Sequence, residues 1–314
     1  MNMRPVLCLL ATAALLNGCG ASPGAGTSPT TASVTTVISG SASAARQTLY
    51  VPEFETNSVT TYGTNGKAGL TITQGLDGPF GVAVDGNGKI YVTNVHTGEV
   101  TTYLPDGTQT TPTISGIQLP WGIAVGTHGK IYVVSEEPGS CTYGTLRSYT
   151  PEGLPTTPTI KIPGEPVGVA VDAHGKIYVA NVCAGPSGQG SVMTYKPNGS
   201  PATPYLTDSD GIDEPYGLTI VGDKLYVANS FGSYDHSFAG YITTYTLDGK
   251  EIAPTIGQGV NGALSVAVDG SGKIFVLNAY AAKNGDITSF LPNGSPTKPT
   301  ITKGIDEANL IAIH

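Results

Sequence analysis

Residues 81–94 read Gly-Val-Ala-Val-Asp-Gly-Asn-Gly-Lys-Ile-Tyr-Val-Thr-Asn, and this phrase decides the fold because it returns. It recurs as GIAVGTHGKIYVVS at 122–135, GVAVDAHGKIYVAN at 168–181, GLTIVGDKLYVAN at 217–229 and SVAVDGSGKIFVLN at 265–278. The copies start at 81, 122, 168, 217 and 265, so the period runs from 41 to 49 residues. A second phrase follows each copy: VTTYLPDG at 100–107, LRSYTPEG at 146–153, VMTYKPNG at 192–199, ITTYTLDG at 242–249 and ITSFLPNG at 287–294. A Pro/Thr-rich stretch then leads to the next copy. Each unit reads as four short strands, a to d, because runs of apolar and β-branched residues are broken by Gly-containing turns. Gly is demanded there because tight hairpins need positive φ. Four strands every 40–50 residues mark one blade of a β-propeller.

The chain ends complete the count. Residues 49–66 match strands b and c with no strand a before them, and residues 305–313 match strand a with nothing after it. Together they make one blade from both termini, which removes open sheet edges. The expected fold is therefore an all-β, six-bladed propeller over 47–314, closed by pairing the N-terminal strands b–d with a C-terminal strand a. The repeated tyrosines, such as Tyr91 and Tyr178 in strand b or Tyr103 and Tyr245 in strand c, are expected to pack between blades. Composition agrees: the 314 residues include 43 Gly and 23 Pro, with 39% hydrophobic and 12% charged residues. The net charge of -8 is thinly spread and no basic stripe is present, which argues against nucleic acid as a partner.

The blade phrase resembles the NHL family of propellers, through P-x-G-[VI]-A-V-D-x-x-G-K-[IL]-Y-V-[AT]-N, over nearly all of 47–314. The charged segment that often follows strand b in that family is missing. The resemblance implies the fold, and a binding role toward protein or RNA in most members, with a few enzymes among its relatives.

Residues 1–18 have the form of a signal peptide. Arg4 supplies a positive start, and the apolar run 5–16 is too short to span a bilayer. The run leads into Leu16-Asn17-Gly18-Cys19, which resembles a bacterial lipobox and implies lipidation of Cys19. Two or more acyl chains anchor stably. Gly20 after the cysteine points by resemblance to the outer membrane. Residues 19–46, nearly all Gly, Ala, Ser, Thr and Pro with Arg46 as the last residue, read as a flexible tether. The expectation is an exported, lipid-anchored monomer at the cell envelope.

Function is less legible. The b–c loops vary in length (94–99, 135–145, 181–191, 229–241, 278–286), whereas the a–b and c–d turns are short and uniform. Variable loops on one face of a regular scaffold are where binding sits, and that b–c/d–a face is the expected site for a protein, peptide or glycan. Phe80, Trp121 and Tyr216 occupy matching positions at the start of strand a, where they form either a stacking platform or a channel plug. Glu136, Glu165, Glu214 and Asp235 fall on the same face, as does the 208–213 segment, whose spacing fits no calcium loop. His96 and His236 are the histidines of this face and the weak catalytic candidates. No motif supplies a partner for either, nor the residue sets of streptogramin-lyase-like or gluconolactonase-like propellers. No cofactor or metal is assigned, with Ca²⁺ or Mg²⁺ the ions such carboxylates would suit. A metal-assisted lyase or lactonase at the channel mouth is the alternative reading. Cys141 and Cys183 lie in b–c loops of neighbouring blades, and in an oxidising compartment a disulfide between them is expected.

Overall fold

The computed structural model describes residues 47–136, 143–230, 240–279, 285–305 and 307–314. Cys19, Cys141, Asp235 and His236 lie outside the described residues. Twenty-four strands form six four-stranded antiparallel sheets. β1 (Thr48–Glu53), β2 (Ser58–Gly63) and β3 (Ala68–Ile72) belong to blade one. β4 (Pro79–Val84) to β7 (Gln109–Ile114) make blade two, and β8 (Pro120–Val125) to β11 (Pro155–Pro163) make blade three. β12 (Pro166–Val171) to β15 (Pro201–Leu206), β16 (Pro215–Val221) to β19 (Glu251–Ile256), and β20 (Ala263–Val268) to β23 (Pro296–Ile301) make blades four to six. β24 (Ala312–Ile313) adds to β1, so both chain ends share blade one as the sequence implied. The closing strand is shorter than the 305–313 match: only two residues are regular strand, and Ala308 and Leu310 make isolated bridges to Glu53 and Gly81.

A propeller has no single core. The buried side chains fall into six clusters, each shared by two consecutive blades. One of them joins Tyr91 and Val100 of blade two to Val125 and Ile131 of blade three. Another joins Tyr178 and Val192 of blade four to Leu225 and Tyr245 of blade five. Each large side chain buried in this way contributes about 1.5–3 kcal/mol, which is why the tyrosines recur and why they are packing residues. In blades two, three, four and six a lysine of the a–b turn, such as Lys89, stands 5.2–5.6 Å from the centroid of the strand-b ring, near enough for a cation–π attraction.

Turn chemistry holds the lower face. Asp85, Asp172 and Asp269 each accept two turn amides through Oδ1, for example from Asn87 and Lys89 at 2.9 and 3.0 Å. On the rim, the peptide bonds before Pro112, Pro158, Pro204, Pro254 and Pro299 are cis, one in the outer strand of each blade from two to six. The repeat read from the sequence did not disclose them. Each of these prolines lies under the c–d turn glycine of the next blade: Pro112 under Gly153, Pro158 under Gly199, and so on round to Pro299 under Gly66.

Candidate functional site

The b–c/d–a face is built on one buried residue per blade. Asn94, Asn181, Asn229 and Asn278 close strand b and are at most 1% exposed. Their Oδ1 atoms accept the amides of Asp77, Glu165, Asp213 and Asn261 at 3.0–3.1 Å, and the Nδ2 of Asn94, Asn229 and Asn278 donates to a strand-c threonine. An amide side chain is suited to this because it accepts and donates at once. Ser135 and Glu53 take the position in blades three and one. The asparagine thus ties the incoming d–a loop to the sheet.

A second ring of bonds fixes where side chains emerge. The carbonyls of Gly78, Leu119, Glu165, Glu214, Gly262 and Glu307 accept the amides of Val95, Glu136, Val182, Ser230, Ala279 and Phe54 at 2.8–3.4 Å. These six carbonyl positions are equivalent, and three of them carry glutamate: Glu165, Glu214 and Glu307. Glu307 was not singled out by the sequence, because blade one is split between the termini and its alignment there is weak. Leu119, Glu214 and Glu307 hold φ between 41 and 47°, a left-handed conformation that costs a non-glycine residue about 1–2 kcal/mol.

Burial shifts the carboxylates of this face. Glu136 is pushed up to about 7, first by burial, then by the negative charge of Glu165, with an offsetting interaction from Trp121. Asp213, 7% exposed, is pushed up to about 6 by burial and by Asp208. The Trp121 indole nitrogen is buried and makes no hydrogen bond of regular geometry, although it lies near enough to Glu136 to favour the charged carboxylate. The segment Asp208–Asp210 is a short 3-10 turn in which Asp210 accepts the Thr207 amide at 3.0 Å. Its carboxylates serve the turn and solvent.

Phe80, Trp121 and Tyr216 are 1, 5 and 4% exposed. The Phe80 and Trp121 rings meet edge to face at 4.6 Å. Of the two arrangements open in the sequence, this burial favours the plug, with the Phe80 and Trp121 rings packed on each other. The channel holds a cavity of about 50 Å³ lined by residues such as Val84, Val169, Thr219, Ser265 and Leu310, room for a few waters and no substrate.

His96 has a partner that no motif announced. Its Nδ1 lies 2.8 Å from Oδ1 of Asp77, both side chains are partly exposed, and Phe54 packs edge-on at 4.9 Å. The pair joins a b–c loop to the preceding d–a loop, a contact invisible to sequence spacing. Among the described residues no group of three or more His, Cys, Asp or Glu side chains is placed to hold a metal ion. The Cys183 sulfur is 3.3 Å from Oε2 of Glu165, which puts it beside the carboxylate cluster. Among the described residues no helix is long and apolar enough to cross a membrane.

No protein-family model matches the chain, and no curated protein matches it. Solved structures do. A chain of a nidogen/laminin complex superposes with a TM-score of 0.64 at 14% identity, covering 85% of this chain and 98% of that one. A Bacteroides caccae protein of unknown function gives 0.63 at 12% identity, with coverage of 86 and 99%. A functionally unknown protein from Desulfotomaculum acetoxidans DSM 771 gives 0.58 at 14%, again covering 86 and 99%. At such identities the likeness is one of fold, and the chain is a six-bladed β-propeller similar in architecture to all three.

Proposed function

We propose that this chain is an exported, lipid-anchored binding module that engages a protein, peptide or glycan at the cell envelope through its b–c/d–a face. The observation that carries the reading is the gathering of carboxylates on that face: half-buried Glu136 beside half-buried Glu165, and buried Asp213 within reach of the exposed Asp208. Placing like charges together in partial burial disfavours the charged form, so their presence is better explained by a partner with basic or hydrogen-bond-donating groups than by stability. A second support is the point of attachment. The described chain enters at Gln47, whose Oε1 accepts the Gly270 amide in an a–b turn at 2.6 Å. Gln47 therefore stands on the face opposite the b–c/d–a loops. One structural neighbour was itself solved in a complex of two proteins, nidogen and laminin.

The test is site-specific photo-crosslinking in intact cells, with the probe at Asp208 in a d–a loop or at Asn198 in a c–d turn of the same blade. Adducts from Asp208 and none from Asn198 support the reading. Adducts only from Asn198, or from neither, reject it. The lyase or lactonase alternative has one structural feature in its favour, the His96–Asp77 pair, which orients an imidazole toward solvent without a nucleophile or metal group beside it among the described residues.

A further inference from the structure

The lower face is not uniform. In blades two, three, four and six the a–b turn is closed by the amide just past the end of strand a, which donates across a five-residue loop, as Asp269 N does to Lys273 O at 2.9 Å. In blade five Val221 pairs directly with Lys224, so the turn is only Gly222-Asp223. A Cβ on Gly222 would meet nothing within 4 Å. The retracted turn opens a groove of about 260 Å³ between blades five and six. The blade-five copy of the phrase, 217–229, is one residue shorter than the others, and this turn is where the residue is missing.

Two nearly buried polar side chains face this groove with an unused atom. Asp269 is 6% exposed; its Oδ1 takes the turn amides and the Ser271 hydroxyl, and no hydrogen bond from the described residues reaches its Oδ2. In blade two the matching Asp85 accepts the Tyr91 hydroxyl through Oδ2 at 3.3 Å. Blade six has Phe275 where that tyrosine would be, so the donor is gone. Tyr226, 5% exposed, lines the same groove and its hydroxyl makes no hydrogen bond to the described residues. Asp223 and Lys224 border it, with Val221, Val268 and Pro292 as an apolar floor.

We propose that this groove is a small-ligand site for a neutral polyhydroxylated molecule the size of one sugar residue. Acceptors on Asp269 and Asp223 face donors on Lys224 and Tyr226, and a hydroxyl group satisfies both because it donates and accepts at one atom. A simple cation meets Lys224 and a simple anion meets two carboxylates. The apolar floor fits the C–H face of a sugar ring. The volume lies just below the roughly 300 Å³ at which drug-sized pockets begin. The site is independent of the b–c/d–a face.

The test titrates the full-length protein with glucose, galactose, mannose and N-acetylglucosamine, read by saturation-transfer NMR, with L-alanine as a zwitterionic probe. At least one sugar binds, and Tyr226→Phe and Lys224→Met each weaken it by about fivefold, the loss of one hydrogen bond, with the melting temperature retained. Blade six already carries Phe at the Tyr226 position, so that variant folds; should it not, Lys224→Met at the groove edge decides. Binding of none of the four sugars, binding that both variants leave unchanged, or binding of L-alanine instead of a sugar overturns the proposal.

Discussion

The α carbon of Gly168 faces the carbonyl oxygen of Tyr216 so closely that a Cβ there would stand 2.2 Å from it. The same approach repeats at Gly81 against Trp121 O, at 2.5 Å, and at Gly122 against Val167 O, at 2.3 Å. The glycine that follows the plug residue is what lets neighbouring inner strands touch. Gly168→Ala is expected to cost roughly 3 kcal/mol, the upper end for overpacking, and to lower the melting temperature by about 6–12 °C. Gly257→Ala is the control: nothing lies within 4 Å of its Cβ position and its φ is ordinary, so the change stabilises by about 0.4–1 kcal/mol. Calorimetry of the two variants checks both signs.

Glu136 gives a pH signature. Its folded-state pKa of about 7 lies above the ordinary 4.5. The folded chain therefore holds more protons than the unfolded chain between those values, and stability falls as pH rises through that window. Glu136→Gln is expected to leave the melting temperature unchanged at pH 4 and to raise it at pH 8 by about 2–4 °C, the response to ~1 kcal/mol in a domain of this size. Thermal melts of both proteins across that range decide it; a variant that melts with the parent at pH 8 contradicts the assignment.

The closing strand is a latch. Thr48 N donates to His314 O at 2.7 Å, His314 N donates back at 3.0 Å, and Ile311 N donates to the Ser265 hydroxyl at 3.1 Å. Ser265 stands where blades two to five have the close-approach glycine, so the repeat is broken where the ring is sealed. Deleting residues 311–314 exposes the inner edge of β1 and removes the buried Ile311 and Ile313, whose packing is worth about 1.5–3 kcal/mol each. A drop in melting temperature of about 10 °C or more, with self-association in size-exclusion chromatography, is expected.

Much of this could be read before the fold was seen. Strand, turn and count were legible because each repeat restates the same local chemistry and because the split blade declares itself at both ends. The site was less so. The burial of Phe80 and Trp121 depends on a neighbouring strand some 40 residues away, and the Asp77–His96 contact crosses two loops of unrelated sequence. The blade-five groove was visible as one missing residue, but a deletion does not say what space it leaves.

Cys141 and Cys183 are expected to be joined. Peptide mapping of the protein recovered from cells, without reductant, should yield the Cys141 and Cys183 peptides as one species that separates on reduction. Recovery of the two as separate alkylated peptides rejects the bridge.

Cys19→Ser tests the anchor. The parent is expected in the membrane fraction and the variant among released proteins, because one polar side chain replaces the acylated sulfur. Equal partitioning of the two rejects lipidation.

The rim prolines bear on how copies of this molecule meet. Proline has no N–H, and each outer strand of blades two to six carries at least one, so none of them can present an unbroken row of donors. The outer strand of blade one, Ala68–Ile72, has no proline and is exposed along four of its five residues. Among the described outer strands, that of blade one is the one whose row of backbone donors no proline interrupts.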